Sequence, residues 1–281
     1  QQACDSDKQF VEASNSFTLL TVNHRLPFHL NAYESYILTS NFLETVVISL
    51  TTTSEQALSF GIQSIDHTFS GFNLGEFAVL YGHQFWKTLI FRLCVHCQLS
   101  KERGGLDSSV IFVDGGNTFN PYLISAVAQE FDLDPRSVLE RVFVSRAFTA
   151  YQLSALILET LEGALKHYRS KLVLISEIIS LFLDRDVPTR EALGIFNKMM
   201  FHLTDLAIRR NVIVAATCSN SERSRRLVFL EPIMFGRAST IARVNESRGR
   251  LQLTIQNHCF PESLTVDVLH NEPTLEKFVE V

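Results

Sequence analysis

The pattern of apolar and polar positions changes near residue 57. From there on, short continuous apolar runs alternate with amphipathic stretches at helical spacing. Continuous apolar strands are buried on both faces, so the pattern predicts an α/β fold with a mostly parallel sheet flanked by helices. The predicted strands are 77–81, 110–114, 142–145, 172–175 and 212–217. The predicted helices are 121–131, 151–168, 189–208 and one that begins at about residue 88.

Both ends of the chain differ from this central part. After Leu227 the pattern becomes that of strands, and residues 240–244, 251–256 and 264–269 are predicted to form an antiparallel C-terminal β extension. Residues 1–56 are rich in Ser, Thr, Asn and Leu, with β-branched stretches that are typical of short strands. The predicted organisation is therefore a β-rich N-terminal extension over residues 1–56 and a core domain over residues 57–281.

Composition and charge narrow the class of protein. The chain has 281 residues, of which 46% are hydrophobic and 20% are charged, and this excludes a disordered chain. No apolar run reaches the ~18 residues of a membrane-spanning helix, so no membrane partner is expected. The net charge of -5 argues against a protein that coats nucleic acid over its whole surface. Five thinly spread cysteines and no visible signal peptide predict a reducing intracellular location, cytoplasmic or nuclear.

Cys94 and Cys97 form a C-x-x-C pair with His96 between them. One interpretation is half of a zinc or redox site. The other is a pair of small apolar side chains on a buried helix. We favour the second, because no further ligand pair lies at zinc spacing.

A phosphate-binding loop is indicated between the strand at 77–81 and the helix that follows it. Gly82 ends the strand, and Lys87 and Thr88 open the helix. In such loops backbone N–H groups hold the phosphates, the lysine neutralises charge, and the threonine hydroxyl holds Mg²⁺. Trp86 stands where the G-x-x-x-x-G-K-[ST] pattern has a glycine, and the loop is one residue shorter. A chance Lys-Thr at the start of a helix is therefore the alternative.

Four segments resemble, in order, stretches of RecA-superfamily recombinases of the archaeal RadA and eukaryotic type. Residues 61–66 resemble G-x-x-S-L-D, and residues 98–106 resemble Q-L-P-x-x-x-G-G-L. Residues 112–121, F-V-D-G-G-N-T-F-N-P, resemble Y-I-D-T-E-G-T-F-R-P. Residues 132–148 resemble G-L-D-P-x-x-V-L followed by A-R-A-Y. The resemblance spans about residues 58–270 and is carried by the order of the segments as much as by any one of them.

The resemblance implies a RecA-like P-loop NTPase core and a role in DNA recombination and DNA repair. It also implies that ATP is held by Gly82, Trp86, Lys87 and Thr88, with Mg²⁺ on Thr88. In place of the glycine, Trp86 either fills the phosphate pocket or stacks on a base.

The reaction path departs from the family at four places, of which the phosphate loop is one. Gly116 stands where the family has the Glu that positions the attacking water. Ser176 replaces the magnesium-associated Asp, and Glu177 beside it is expected to point to the opposite face of the strand. Cys218 and Ser219 replace the Asn-Gln pair that senses the γ-phosphate. Because phosphoryl transfer depends on positioning and electrostatics, these changes predict a paralogue without ATP hydrolysis, with ATP and Mg²⁺ bound weakly and not required.

The resemblance further implies that the loop after the fifth strand, at residues 220–236, binds single-stranded DNA. Residues 219–250 hold seven Arg and three Glu, a local charge of +4 against -9 for the remainder. Arginines with interleaved aromatics, here Phe229 and Phe235, suit phosphate contact and base stacking. The alternative is a solvated polar loop. An earlier DNA-facing loop is expected at residues 182–191. The candidate DNA-binding residues are Arg223, Arg225, Arg226, Arg237, Arg185 and Arg190.

Three functions are compatible with these features. The leading hypothesis is a non-catalytic accessory or mediator protein of homologous recombination that binds single-stranded DNA, the RadA-type recombinase, or both. A second is a weak DNA-dependent ATPase that uses a relocated carboxylate such as Glu177. A third is a structural subunit of a hetero-oligomer of recombinase paralogues, without DNA contact.

Overall fold

The computed structural model describes residues 57–219, 225–247, 250–257 and 260–268, together with the backbone of two short strands nearer the N terminus. These are β1 (Ile37–Thr39) and β2 (Thr45–Val47), which pair in antiparallel fashion. They belong to a unit over residues 1–51, whereas residues 52–281 form a second unit. The rest of the predicted extension lies outside the described residues, so the domain boundary stays a prediction.

Eight described strands form one sheet in the second unit. In chain order they are β3 (Phe77–Gly82), β4 (Val110–Asp114), β5 (Val142–Arg146), β6 (Leu172–Ser176), β7 (Ile213–Ser219), β8 (Thr240–Ser247), β9 (Arg250–Asn257) and β10 (Phe260–Val268). Their spatial order is β10-β9-β8-β3-β7-β6-β4-β5. Strands β3 to β8 pair in parallel, and β9 and β10 are added antiparallel. The predicted mostly parallel sheet is confirmed, although the first strand of the predicted antiparallel extension, β8, joins the parallel part.

Helices cover both faces of this sheet. They are α1 (Gln63–Asp66), α2 (Trp86–His96), α3 (Pro121–Glu130), α4 (Pro135–Glu140), α5 (Ala150–Ala155), α6 (Leu161–Tyr168), α7 (Thr189–Arg210) and α8 (Leu227–Phe235). A π-helical turn at Leu156–Thr160 joins α5 to α6, and short 3₁₀ turns lie at Lys101–Arg103 and Ser180–Leu183. Local sequence explains several starts: the Asn120 side chain accepts from two N–H groups of α3, and a proline follows it at the first helical position.

The strands divide the apolar side chains between two cores, as alternation along a strand requires. In β3, Ala78 and Leu80 belong to the first core, whereas Phe77 and Val79 belong to the second. Helices α2 and α3 pack on the first side, and α5 to α8 pack on the second. Both faces of the central strands are therefore buried, which is why these strands are apolar throughout.

The C-x-x-C pair lies within the first core. Cys94 is in α2 and Cys97 is at its C-terminal end, and both are fully buried. Burial raises the pKa of both thiols, that of Cys97 to about 12. Among the described residues no group of three or more His, Cys, Asp or Glu side chains is placed to hold a metal ion. The geometry thus agrees with two small core side chains.

Within the described ranges, none of the helices is both long enough and apolar enough to cross a membrane.

Candidate functional site

The loop predicted to bind phosphate joins β3 to α2 and begins at a glycine that cannot be replaced. Gly82 has a φ of 107°. A Cβ added there would lie 2.2 Å from the carbonyl oxygen of Val244 in the neighbouring strand β8. The next N–H, of His83, donates to that same oxygen at 2.8 Å. The start of the loop is therefore fixed against β8 and requires glycine for both its conformation and its space.

The N–H groups at the start of α2 find their acceptors within the loop itself. The N–H of Trp86 donates to the carbonyl of His83 at 3.2 Å, and that of Lys87 donates to the carbonyl of Gln84 at 3.0 Å. In an anion cradle such groups point at the phosphate instead. Both of these donors are satisfied here by carbonyl groups of the loop.

A carboxylate stands beside this loop. The Glu246 Oε2 atom lies 3.1 Å from Nε2 of His83. The other ring nitrogen, Nδ1, accepts the N–H of Phe85 at 3.4 Å, so Nε2 carries the proton that is donated to Glu246. A negative charge next to the loop opposes the binding of a phosphate.

Trp86 is a core residue. Its side chain is 1% exposed and packs in the first hydrophobic core, and its Nε1 has no hydrogen-bond partner among the described residues. The Lys87 Nζ atom lies 5.8 Å from the centre of the Trp86 ring. Lys87 and Thr88 are half-buried. The indole is therefore not a surface for base stacking.

Asp114, at the end of β4, is fully buried and accepts hydrogen bonds at both oxygens. Its Oδ1 accepts from the Thr118 N–H at 2.9 Å and from the Ser176 hydroxyl at 2.8 Å. Its Oδ2 accepts from the Phe119 N–H at 3.2 Å and from the Arg146 guanidinium at 3.1 Å. Burial alone would raise the pKa of Asp114, but these hydrogen bonds and the Arg146 charge outweigh it and lower the pKa. The Asp114 carboxylate therefore holds the segment after β4 in place through hydrogen bonds. Ser176 provides a hydroxyl group at the position where the family has an acid.

Glu177 occupies the space above Gly116. A Cβ added at Gly116 would lie 2.5 Å from Cγ of Glu177 and 2.6 Å from its Cβ. The expected orientation of Glu177, opposite to Ser176, rests on strand alternation and stays a prediction. Strand β6 ends at Ser176, and Glu177 has a φ of 49°, so strand alternation no longer applies to it. Its Oε2 accepts the N–H of Ser219 at 3.0 Å.

Cys218 and Ser219, which replace the Asn-Gln pair of the family, are the last two residues of β7. Cys218 is buried, and burial, followed by the charge of Glu177, raises the pKa of its thiol to about 12. Ser219 presents its N–H to Glu177. A polar, phosphate-facing pair is thus replaced by an inert buried thiol and a residue that is bonded within the chain.

The predicted DNA loop at residues 220–236 is in large part helical, which corrects the loop prediction. Residues 220–224, with Arg223, lie outside the described residues, and 227–235 form α8. Arg226, just before α8, donates from Nη1 to the carbonyl of Phe182 at 3.3 Å and also to that of Asp184. Arg226 therefore joins the start of α8 to the segment expected to form the earlier DNA-facing loop.

The other candidate arginines lie on either side of α8 and in the segment that runs from Arg185 into α7. Arg185 is exposed next to the Arg226 contact, Arg225 is exposed just before α8, and Arg190 is exposed in the first turn of α7. Arg237 follows α8 at its other end, with its guanidinium carbon 5.3 Å from the ring centre of Phe201. The structure brings Arg185 and Arg225 to neighbouring segments and places Arg237 apart from them.

The two aromatic candidates, Phe229 and Phe235, differ in their exposure to solvent. Phe235 packs its ring against Tyr81 with 4.8 Å between centres, whereas Phe229 is 57% exposed on α8. Phe229 is thus the aromatic side chain that a bound base could reach.

The Rad51 family model matches residues 45–225, well over half of the chain. The chain belongs to the Rad51 family. This agrees with the order of strands and helices described above and with a recombinase-related function in DNA recombination and repair. The match includes β3, Asp114 and the Glu177 region, so the departures from the catalytic pattern fall inside the Rad51-family part of the chain.

The ATP and Mg²⁺ of the Rad51 family fit these residues poorly. The loop N–H groups of His83, Trp86 and Lys87 are bonded within the protein, and Glu246 adds a negative charge. The buried Asp114 already accepts hydrogen bonds from four residues, Thr118, Phe119, Arg146 and Ser176. In the part of the chain that the structure describes, no three His, Cys, Asp or Glu side chains are grouped to hold a metal ion. Weak nucleotide binding stays a prediction.

Proposed function

We propose that this Rad51-family chain is a non-catalytic recombinase paralogue that acts as an accessory or mediator protein in homologous recombination and DNA repair. It binds single-stranded DNA, the recombinase, or both. The observation that carries the proposal is the Glu177 side chain in the space that a side chain at position 116 would need.

This contact bears on ATP hydrolysis because, in the family, a Glu at the position of Gly116 positions the water that attacks the γ-phosphate. With Glu177 in place, even a methyl group at Gly116 would overlap it. The acid at position 176 is also gone, and Ser176 is bonded to Asp114. Since phosphoryl transfer depends on positioned charges and water, the combined loss supports a protein that works without turnover.

Binding to single-stranded DNA is supported by exposed side chains at the start of α8 and in the segment from Arg185 to the first turn of α7. Arg185, Arg190 and Arg225 are exposed, and Phe229 adds an exposed ring. Proteins that hold single strands combine cationic contacts to phosphates with aromatic stacking of bases. Arg226 is already bonded to backbone carbonyls, so we assign it to positioning of this surface.

The Arg225→Ala variant is expected to bind single-stranded DNA more weakly than the unaltered chain. Removing one cationic side chain that neutralises a phosphate should reduce the slope of log K against log salt by about 0.7. Titration of a fluorescent oligonucleotide at several salt concentrations measures both quantities. Arg136→Ala, which removes an exposed arginine of α4, is the control and should change neither. An Arg225→Ala curve that coincides with the unaltered one at every salt concentration would contradict the DNA assignment and favour a structural subunit.

Action on the recombinase is tested separately. If the chain is a mediator, adding it to a RadA-type recombinase should speed assembly of the recombinase on single-stranded DNA. A chain that neither binds the recombinase nor changes the assembly rate, and that binds no DNA, is not an accessory protein of this kind.

One observation favours the weak ATPase as a second candidate. The Glu177 side chain lies beside Gly116, which stands where the family has its catalytic Glu. Its bond to the Ser219 N–H competes with such a role. ATP turnover that depends on Lys87 distinguishes the two functions.

A further inference from the structure

We propose that Glu177 is a positioning residue that fixes the end of β7 without a nucleotide, and that Gly116 is the space this contact requires. We call the Gly116–Glu177–Ser219 contact the clamp. The proposal rests on the proposed function, in that it explains how a chain without a working ATP site keeps the end of β7 in one conformation.

The first half of the clamp is steric. Glu177 has a positive φ of 49°, a conformation that costs free energy for a residue with a side chain. It is held there by its own N–H, which donates to the Thr217 hydroxyl at 3.0 Å, and by the absence of a side chain at Gly116. Any residue larger than glycine at 116 would displace Glu177 from this position.

The second half is a charge-assisted hydrogen bond. Oε2 of Glu177 accepts the N–H of Ser219 at 3.0 Å, at the last residue of β7. A carboxylate is a stronger acceptor than a neutral oxygen, so this bond holds the strand end firmly. In the family this place belongs to the residues that sense the γ-phosphate. Here a carboxylate of the chain itself contacts the strand end.

The residue before α8 also contacts the residues that follow β6. Arg226 donates to the carbonyls of Phe182 and Asp184, and Glu177 lies only a few residues before them. Ser219 and Arg226 lie on either side of residues 220–225, and both contact the stretch from 177 to 184. Both flanks are therefore fixed by the protein itself, and their conformation should not depend on ATP.

Hydrogen–deuterium exchange of the Ser219 amide tests the clamp, with fragment-resolved mass spectrometry as the readout. Glu177→Ala is expected to raise the exchange rate of Ser219 by about tenfold or more, because its amide no longer donates to a charged group. Gly116→Ala should do the same with Glu177 still present. Glu177→Gln keeps an acceptor oxygen and should exchange more slowly than Glu177→Ala, which separates the contact from any general loss of folding. Saturating ATP with Mg²⁺ should leave the exchange of the unaltered chain unchanged.

Asp186→Ala is the matched control, because it removes an exposed carboxylate from the same region without touching Ser219. It should leave the exchange rate as it is. Unchanged exchange in Glu177→Ala, or strong added protection of Ser219 by ATP with Mg²⁺, would overturn the clamp. The measurement contains neither DNA nor recombinase. A chain that binds neither would therefore defeat the proposed function while leaving this result intact.

Discussion

Asp114→Asn is expected to lower the free energy of unfolding by about 3 kcal/mol, because it removes the charge of a buried carboxylate that pairs with a guanidinium. An amide offers one acceptor oxygen and turns an N–H₂ group toward donors. The Ser176 hydroxyl, the N–H groups of Thr118 and Phe119, and Arg146 could then not all be satisfied. Urea denaturation measures the difference.

Asp107→Asn is the matched control for this substitution. Asp107 also pairs with an arginine, Arg141 at 3.3 Å, but this pair is exposed. Exposed pairs contribute about 0–1 kcal/mol, so the control should unfold nearly as the unaltered chain does. Equal losses in the two variants would mean that the Asp114 network does not stabilise the fold.

The pH dependence of the Asp114 effect follows from its lowered pKa. The pKa of this carboxyl is lower in the folded state than in the unfolded state, where it is about 3.9. Its contribution is therefore fully present above that unfolded value and is lost as the pH falls through the folded pKa. The difference in the free energy of unfolding between the unaltered chain and Asp114→Asn should be largest at neutral pH and should become smaller in acid. A difference that grows as the pH falls would contradict this prediction.

Trp86→Gly, which restores the glycine of the standard phosphate loop, is expected to lose about 4 kcal/mol or more of stability without gaining ATP binding. The indole is 1% exposed, so its loss leaves a cavity in the first core, and a glycine in the first helical turn adds to the cost. The loop N–H groups would still be bonded to His83 and Gln84, with Glu246 still beside them.

Thermal and urea unfolding measure the loss of stability, and titration of ATP into the folded variant measures nucleotide binding. Gln84→Gly is the control, because Gln84 is an exposed residue of the same loop and its replacement leaves the core filled. A Trp86→Gly protein that is as stable as Gln84→Gly and binds ATP would show that the loop is a nucleotide site blocked by the indole alone.

Much of the fold could be predicted from the sequence because its central strands are buried on both faces. The runs at β3, β4, β6 and β7 are nearly continuous in apolar residues, and helical periodicity fills the intervals between the strands. The ordered segments at Gly61, Gly104 and Asp114 then indicated the family that the Rad51 match confirms.

Helix α8 could not be predicted from local signals. Its sequence, L-V-F-L-E-P-I-M-F, is apolar nearly throughout, has no side-chain cap at Arg226, and contains Pro232. These features are not those of an amphipathic surface helix. It is stabilised by packing against the second core, through residues such as Leu230 and Met234.

The site differs from its prediction where residues far apart in the chain meet. The orientation of Glu177 depends on a left-handed backbone conformation that strand alternation does not indicate. The pairing of His83 with Glu246 requires β3 and β8 to be neighbours in the sheet. Neither contact has a signal in the local sequence, whereas the absence of the family's acids at Gly116 and Ser176 is visible in the sequence directly.

The most direct test of the central claim is ATP turnover by the purified chain, with and without single-stranded DNA, compared with Lys87→Ala. A chain without a working ATPase should release no phosphate above the blank in any of these conditions, and Lys87→Ala should leave the trace unchanged. DNA-stimulated phosphate release that disappears in Lys87→Ala would contradict the account and establish the chain as an active ATPase.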